Sequence, residues 1–570
     1  MSAPLGTTPA TSEQRAASSA RPASTTSATS RPPARGTAEP WTGTRELIRL
    51  FLRLDRVRIA IWALSFGLLV AGSIASFEAT YTTPESLQAR ASLMKNPSVV
   101  MMTGPAFGLD HYTFGAMVAN ELSLWLFLAA AIMSIQIVVR HTRAEEESGR
   151  LEVVRALPVG RFAPAVAAIA TVALANIAVG AATTVALVAT GMEAPSSIAI
   201  GVAVALTGLV FGAVGAVTAQ VTEHGRSAMS MAFGVLAIAF LVRGLGDVIN
   251  AQGSWLSWLS PLAWGQQTRL YVDLRWWPLA VTAGAVILLL ALTVRLAQRR
   301  DLGAGLRAPA PGPAEASPPL LSPIGLANRL LWNVFLGWTI GMMFFGVAFG
   351  TLANSLGDVV DDLPQLGDWI QIDLASLEQS FAAAMLSFLV IAPMAVAVAG
   401  VLRLRSEEAA GRVEAILVTG SPRSSLLGGW TLVVAVQAVA MLLLIGLSVG
   451  VGVMIGTGDA HWIGDLVLAS VAYIPAVLLV TALAIALYGL RPRQSTLAWV
   501  LVIWVTIVLY LGELLGLPDW AMALSPLHQT PLLPGAEVDA TPLVVMSLAA
   551  VVLAAVGFVG LRRRDVVPGE

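Results

Sequence analysis

"RAEEESGRLEVVRALPVGR", Arg143 to Arg161, is a charged island between two long apolar runs, and a near copy, "RSEEAAGRVEAILVTGSPR", occupies Arg405 to Arg423. Gly149 and Gly411 stand 262 positions apart. Each copy carries clustered acids (Glu145, Glu146, Glu147; Glu407, Glu408), a Gly-Arg pair (Gly149-Arg150; Gly411-Arg412) and a further glutamate (Glu152; Glu414). An apolar stripe follows, Leu151, Val154 and Leu157 or Val413, Ile416 and Leu417, before Pro158 or Pro422 and a closing Arg161 or Arg423. Acids near a helix start and bases near its end suit the helix dipole, and proline soon afterwards stops the helix. The stretch predicts a short helix with an exposed, partly apolar face, which needs a protein or lipid surface to cover it. A single copy could equally be a solvated loop that only sets topology. Duplication at fixed offsets favours one task performed against two equivalent surfaces.

The surrounding chain decides where such islands can lie. Its 570 residues are 56% hydrophobic and only 12% charged, about half the charged fraction of roughly 25% in a globular domain. An all-α polytopic membrane protein is implied. A net charge of -1 hides a strong asymmetry in where the basic residues lie, so the sum says little about partners, and no nucleic-acid partner is expected. With no cysteine there is no disulfide or thiolate chemistry, and the five histidines show no metal-ligand spacing, so no metal site and no bound cofactor are expected.

Crossing about 30 Å of hydrocarbon takes roughly 20 apolar residues. Twelve segments qualify, at about 57–78, 115–139, 162–190, 197–219, 228–249 and 276–296, then 331–355, 379–402, 430–453, 463–488, 498–517 and 542–561. With both termini inside, 29 of the 34 Lys and Arg fall in cytoplasmic segments or at their edges, as the positive-inside rule requires. Only Arg90, Lys95, Arg269 and Arg275 lie outside, and Arg243 lies within a span. Trp62, Trp255, Trp258, Trp276, Trp277, Trp332, Trp462 and Trp520 fall near span ends, where interfacial anchors belong.

The expected organisation is a disordered cytoplasmic tail over 1–40, an amphipathic helix over 41–56 lying along the inner leaflet, and a first six-helix half over 57–296. A Gly/Pro-rich cytoplasmic linker over 297–322, a second half over 323–561 and a cytoplasmic tail over 562–570 complete it. "LSPLAWGQQ" (Leu259–Gln267) is answered by "LSPLHQTP" (Leu524–Pro531), and "SPIGLANRLLW" (Ser322–Trp332) stands where the first amphipathic entry helix stood. Six helices return each half to its starting side, so the repeats are parallel.

An acidic pair, Gly, apolar stripe and Pro between the second and third helices of a six-helix unit resembles the coupling-helix region of ABC-2 type (type V) exporter membrane subunits. The two fused units, the entry helices and the polar N-terminal tail are similar to actinobacterial exporters of polyketide antibiotics, the tetronasin type. The second island departs at "VTGSPR", where proline falls two positions later than in "ALPVGR". The resemblance implies a permease moving lipophilic or amphipathic compounds outward through a cavity between the halves, with lipids as an alternative cargo. It also implies that Glu145, Glu146, Gly149, Arg150, Glu152, Glu407, Glu408, Gly411, Arg412 and Glu414 dock two copies of a separate nucleotide-binding ATPase, which would bind the ATP and Mg. The residues agree on the energy source: a P-loop needs a lysine to reach the phosphates, and the only lysine, Lys95, sits in "SLMKNPS" on the outer side.

Ionisable groups within spans cost roughly 2.5–3.5 kcal/mol each on insertion scales and mark function or structural pairing. Glu121, Arg243, Asp247 and Glu513 are such groups, and with Ser260, Pro261, Ser525 and Pro526 they are candidates for the cavity or outer gate. Arg243 and Asp247, four apart, can pair on one helical face, with Gly244 and Gly246 loosening the helix beside them. The acidic "GDVVDDLPQLGD" (Gly357–Asp368) reads as a solvated outer loop. Two other classes compete. An ion-coupled six-plus-six transporter would carry a basic Gly/Arg/Asp turn where the acidic island stands, and an intramembrane enzyme would need convergent carboxylates or a metal cluster.

Overall fold

Twelve helices long and apolar enough to cross a bilayer run through the computed structural model, which describes residues 39–250, 252–300, 303–307, 312–353, 374–512, 517–536 and 539–566. They are α1 (Thr44–Thr80), α2 (Phe114–Glu147), α3 (Ala163–Ala189), α4 (Ala194–Val221), α5 (Gly225–Ile249) and α6 (Trp277–Ala297). The second set is α7 (Pro323–Ala353), α8 (Glu378–Ala409), α9 (Arg423–Thr457), α10 (His461–Leu490), α11 (Pro492–Tyr510) and α12 (Ala540–Arg563). The protein is a multi-pass, all-helical membrane protein, and no strand occurs among the described residues.

The packing repeats as the islands do. In the first half α1 lies on α3, α2 on α4 and α4 on α6; in the second α7 lies on α9, α8 on α10 and α10 on α12. Without a hydrophobic drive between helices in lipid, close approach relies on small residues and buried hydrogen bonds. A Cβ added at Gly489 of α10 would stand 2.0 Å from the Gly557 carbonyl of α12. In the first half, Asn176 of α3 donates from Nδ2 to Ser134 Oγ of α2 at 2.8 Å. Each half has its own core, one around Phe127, Phe211 and Val204, the other around Tyr473, Tyr488 and Met441. The halves meet where Phe240 of α5 sets its ring edge against Phe344 of α7, centroids 5.9 Å apart. A short helix, Pro97–Thr103, also reaches α7.

Three expectations change. The amphipathic segment 41–56 is no separate surface helix: α1 runs unbroken for 37 residues, about 55 Å against the roughly 30 Å of hydrocarbon. Leu47 and Phe51 of its apolar face are covered by Ala163, Ala167 and Ala168 of α3 and by Val154 of the first island, whereas Leu54 of the same face is exposed. The entry segment of the second half is likewise continuous with α7, capped by Ser322, whose Oγ accepts from Gly325 N at 3.1 Å. Trp462 is buried in the second core, whereas Trp255, Trp276, Trp277, Trp332 and Trp520 are exposed. The tail 1–38, Glu513 and the acidic Gly357–Asp368 loop lie outside the described residues.

Candidate functional site

Each island begins as the end of a spanning helix. The acids Glu145–Glu147 close α2 after a π turn over Arg140–Ala144, and Glu407 and Glu408 close α8. The sequence reading placed them at a helix start; only Glu152 and Glu414 occupy the first turn of the short helices Arg150–Arg155 and Arg412–Val418. The switch between helices is Gly149 at φ 73° and Gly411 at φ 74°, the left-handed conformation that ends helices and suits glycine. Across each glycine the same pair closes, Glu145 with Arg150 at 3.0 Å and Glu407 with Arg412.

The second acid of each pair turns inward. Glu146 accepts from Arg300 at 2.6 and 2.8 Å and from Arg143, a fully buried arginine that also donates to the Gly303 carbonyl at 2.7 Å. Arg300 donates to Gln220 Oε1 of α4 at 2.6 Å. The strap 303–307 is then held along the end of α4, with Leu306 N on Gln220 O at 3.0 Å and Arg307 N on Val221 O at 3.1 Å. Glu408, 262 positions on, accepts from Arg564 Nη2 at 2.8 Å and from the Tyr488 hydroxyl of α10. Each island is thus clamped to the end of its own half's last helix, α6 or α12, and to α4 or α10. Buried acids at a helix C-terminus oppose the dipole; the arginines offset that cost.

The expected stripes also divide. Val413 is buried, and Leu151, Val154, Ile416 and Leu417 are partly covered, whereas the exposed apolar side chains are Val153 and Leu157 on the first island and Val418 on the second. Glu152, Arg150, Glu414 and Arg412 are exposed beside them.

At the opposite end, Glu121, Arg243 and Asp247 are paired rather than free. Glu121 of α2 takes a two-pronged contact from Arg90 of the helix Pro84–Leu93, at 2.8 and 2.9 Å. Burial works against the Arg90 charge, but the Glu121 carboxylate holds its pKa above the ordinary arginine value. Arg243 and Asp247 are fully buried and pair at 3.2 Å; Arg243 also donates to the Met101 carbonyl, and Ser257 Oγ donates to Asp247 at 2.6 Å. Gly244 and Gly246 do not loosen α5, which continues to Ile249; they admit Met101 and Ser257 at distances no Cβ would tolerate. Ser260 caps the helix Pro261–Gln266 by accepting from Leu262 N at 3.3 Å, and Ser525 is buried in the corresponding segment. Burial pushes the Tyr271 hydroxyl up to about 12, and it shares a hydrogen bond of 2.8 Å with Ser197.

One cluster had no precursor in the sequence reading. Asp55 of α1, fully buried, binds Arg140 at 2.9 Å, Arg58 at 3.0 Å and His141 Nε2, while Phe51 stacks on the His141 ring at 4.3 Å. Only the alternation of Asp55 with arginines on the entry helix could have signalled it.

Twelve spans in two alike halves, with matched clamped islands at one end, define a membrane permease. Residues 320–562 match the family described as "Multidrug efflux system permease Rv1217c, C-terminal domain". Over 531 residues the chain is 35% identical to the "Multidrug efflux system permease protein Rv1217c" of Mycobacterium tuberculosis (strain ATCC 25618 / H37Rv), an alignment spanning 92% of this chain and 96% of that protein. The chain belongs to this family of multidrug efflux permeases. The match shows the multidrug permease family and does not reach the tetronasin type to which the sequence resemblance pointed.

Proposed function

We propose that the chain is the transmembrane subunit of an ATP-binding cassette exporter, with its islands and both termini facing the cytoplasm. Two copies of a separate ATPase, carrying the ATP and Mg, dock on the short helices Arg150–Arg155 and Arg412–Val418. Lipophilic or amphipathic compounds, drugs among them in keeping with the relative's printed name, enter between the halves and leave on the opposite side.

The observation that carries this reading is the pair of clamps. A loop that only set topology would need no buried bond to the rest of its half, whereas Glu146 and Glu408 tie each island to Arg300 or Arg564, just beyond the end of α6 or α12. A push on the exposed Glu152, Val153 and Leu157, or on Glu414 and Val418, therefore reaches a spanning helix through buried ion pairs. The test is co-purification with a stand-alone P-loop ATPase co-expressed with the full chain, using Glu152→Ala/Val153→Ala/Leu157→Ala and Glu414→Ala/Val418→Ala separately and together. Loss of one ATPase copy per altered island, with the permease still folded, is expected. Undiminished binding and undiminished drug-stimulated ATP hydrolysis in the combined variant would remove the reading.

A further inference from the structure

The two halves differ most at one matched position beside the islands. In the first half, α2 carries His141, stacked on Phe51 and bonded to the buried Asp55, so these side chains stand between α1 and α2. Adding 262 brings His141 to Arg403 of α8, and there the corresponding space between α7, α8 and α9 is open. It is a cavity of about 150 Å³ lined by Leu331, Val334, Val396, Gly400, Arg403 and Gln437. Drug-sized ligands need pockets of roughly 300–1,000 Å³, so this one takes an end of a molecule and not the whole.

The chemistry of that end follows from the charges. Arg403 Nη2 pairs with Glu407 at 2.8 Å, but its Nε is buried with no hydrogen-bond partner. Glu407 is shared with Arg412, and Arg226 at the start of α5 lies within electrostatic reach. Glu407 and Glu147, which accepts from Gly225 N at the start of α5, thus stand among three arginines, which leaves the positive charge in excess. Gln437, whose Nε2 donates to Asn328 at 3.0 Å, adds an amide at the cavity wall. The remaining walls are hydrocarbon. An orphaned guanidinium N–H beside excess positive charge calls for an anion, and apolar walls call for a chain attached to it.

The mouth shows where the chain goes. Leu330 and Val334 share one side of α7 with Gly337, Gly341 and Phe344 by helical spacing. Open space borders Gly337 and Gly341, and Phe344 meets Phe240 of the other half. The stripe therefore leads from Arg403 along the space between the halves and stops at the Phe240–Phe344 contact. We propose that this cavity is a binding site for the head of an anionic amphiphile, with Arg403 as the anion contact and the apolar tail laid along α7 between the halves. At the corresponding place in the first half, Phe51 and His141 stack on one another.

The site is a property of the permease chain by itself, so its test needs neither ATPase nor transport, and failure of the exporter reading would leave it standing. The purified full chain in nanodiscs is exposed to a photoactivatable sixteen-carbon fatty acid or to the matching alcohol, and labelled peptides are mapped. The acid is expected to label peptides containing Leu330–Val334 and Val396–Arg403 roughly tenfold or more above the alcohol, the affinity of one charge-assisted hydrogen bond. Arg403→Gln should bring the acid down to the alcohol's level, and Leu331→Phe, which adds bulk at the cavity wall, should abolish both. The corresponding peptides around Phe51 and His141 should stay unlabelled. Suppression of labelling by phosphatidylglycerol, but not phosphatidylcholine, would identify a membrane phospholipid as the resident anion; competition by free fatty acid alone would identify a soluble carboxylic amphiphile. Equal labelling by acid and alcohol, or acid labelling unchanged in a folded Arg403→Gln protein, would overturn the proposal.

Discussion

Glu146→Gln keeps the size of the side chain and removes one charge from a buried group of three. The side chains of Glu146, Arg300 and Arg143 are 10%, 9% and 0% exposed, so the two arginines would lose their shared carboxylate without compensating access to water. Breaking such a buried pair costs about 3–5 kcal/mol. The neighbouring Glu145–Arg150 pair has an arginine 69% exposed, and a surface pair is worth about 0–1 kcal/mol. The amides of Leu306 and Arg307, bonded to Gln220 and Val221, report directly on the clamp. Measured by hydrogen exchange on the full chain in nanodiscs, they should exchange roughly a hundredfold faster in Glu146→Gln. In Glu145→Gln they should change by no more than about fivefold. Combining Glu146→Gln with Arg300→Gln should cost less than the two singles summed, with a coupling of about 0.5–3 kcal/mol. Wild-type exchange of the strap amides in Glu146→Gln, or equal effects of the two glutamine variants, would refute the assignment of Glu146 as a structural tie.

The Arg90–Glu121 contact should respond unequally to loss of either partner. Arg90 is 29% exposed and Glu121 only 10%, so Arg90→Ala strands a nearly buried carboxylate and should lower the thermal unfolding temperature more than Glu121→Gln does. Gly489→Ala should force α10 and α12 apart against the Gly557 carbonyl at a cost of about 1–3 kcal/mol, read as reduced yield of monodisperse protein. Gly464→Ala, with open space around the new Cβ, is the silent comparison.

The twelve spans and their division into two alike halves were legible because hydropathy and a fixed offset of 262 are both written in the residues themselves. Helix ends were not. Thr44–Arg56 and Arg140–Glu147 carry charges that end an apolar run but not a helix, so α1 and α2 continue into what reads as surface segment or loop. The islands were legible as objects, but their acids divide into an outer pair with Arg150 or Arg412 and an inner tie. The inner partners lie 154 and 156 residues away, at Arg300 and Arg564. The arginines ending each half read as topology signals, and nothing local says that one in each cluster turns back. Arg90 was legible only as an exception to the charge bias; its reason, Glu121, is 31 residues away. Asp55 and His141 escaped because a lone histidine carries no spacing signal. The asymmetry first noted in the displaced proline of "VTGSPR" is larger beside the islands, where Arg403 replaces His141.

Every bond of the first clamp is made by residues no later than Arg307. During synthesis, the first half can therefore close its own fastening once the strap has left the ribosome, while the later spans of the second half are still to be made. Glu408 waits for Arg564, 156 residues later in the chain, so the second half stays unfastened until α12 has been made. Membrane quality-control proteases would meet a finished first half joined to an open second one, and truncations late in the chain should be recognised through the second half alone.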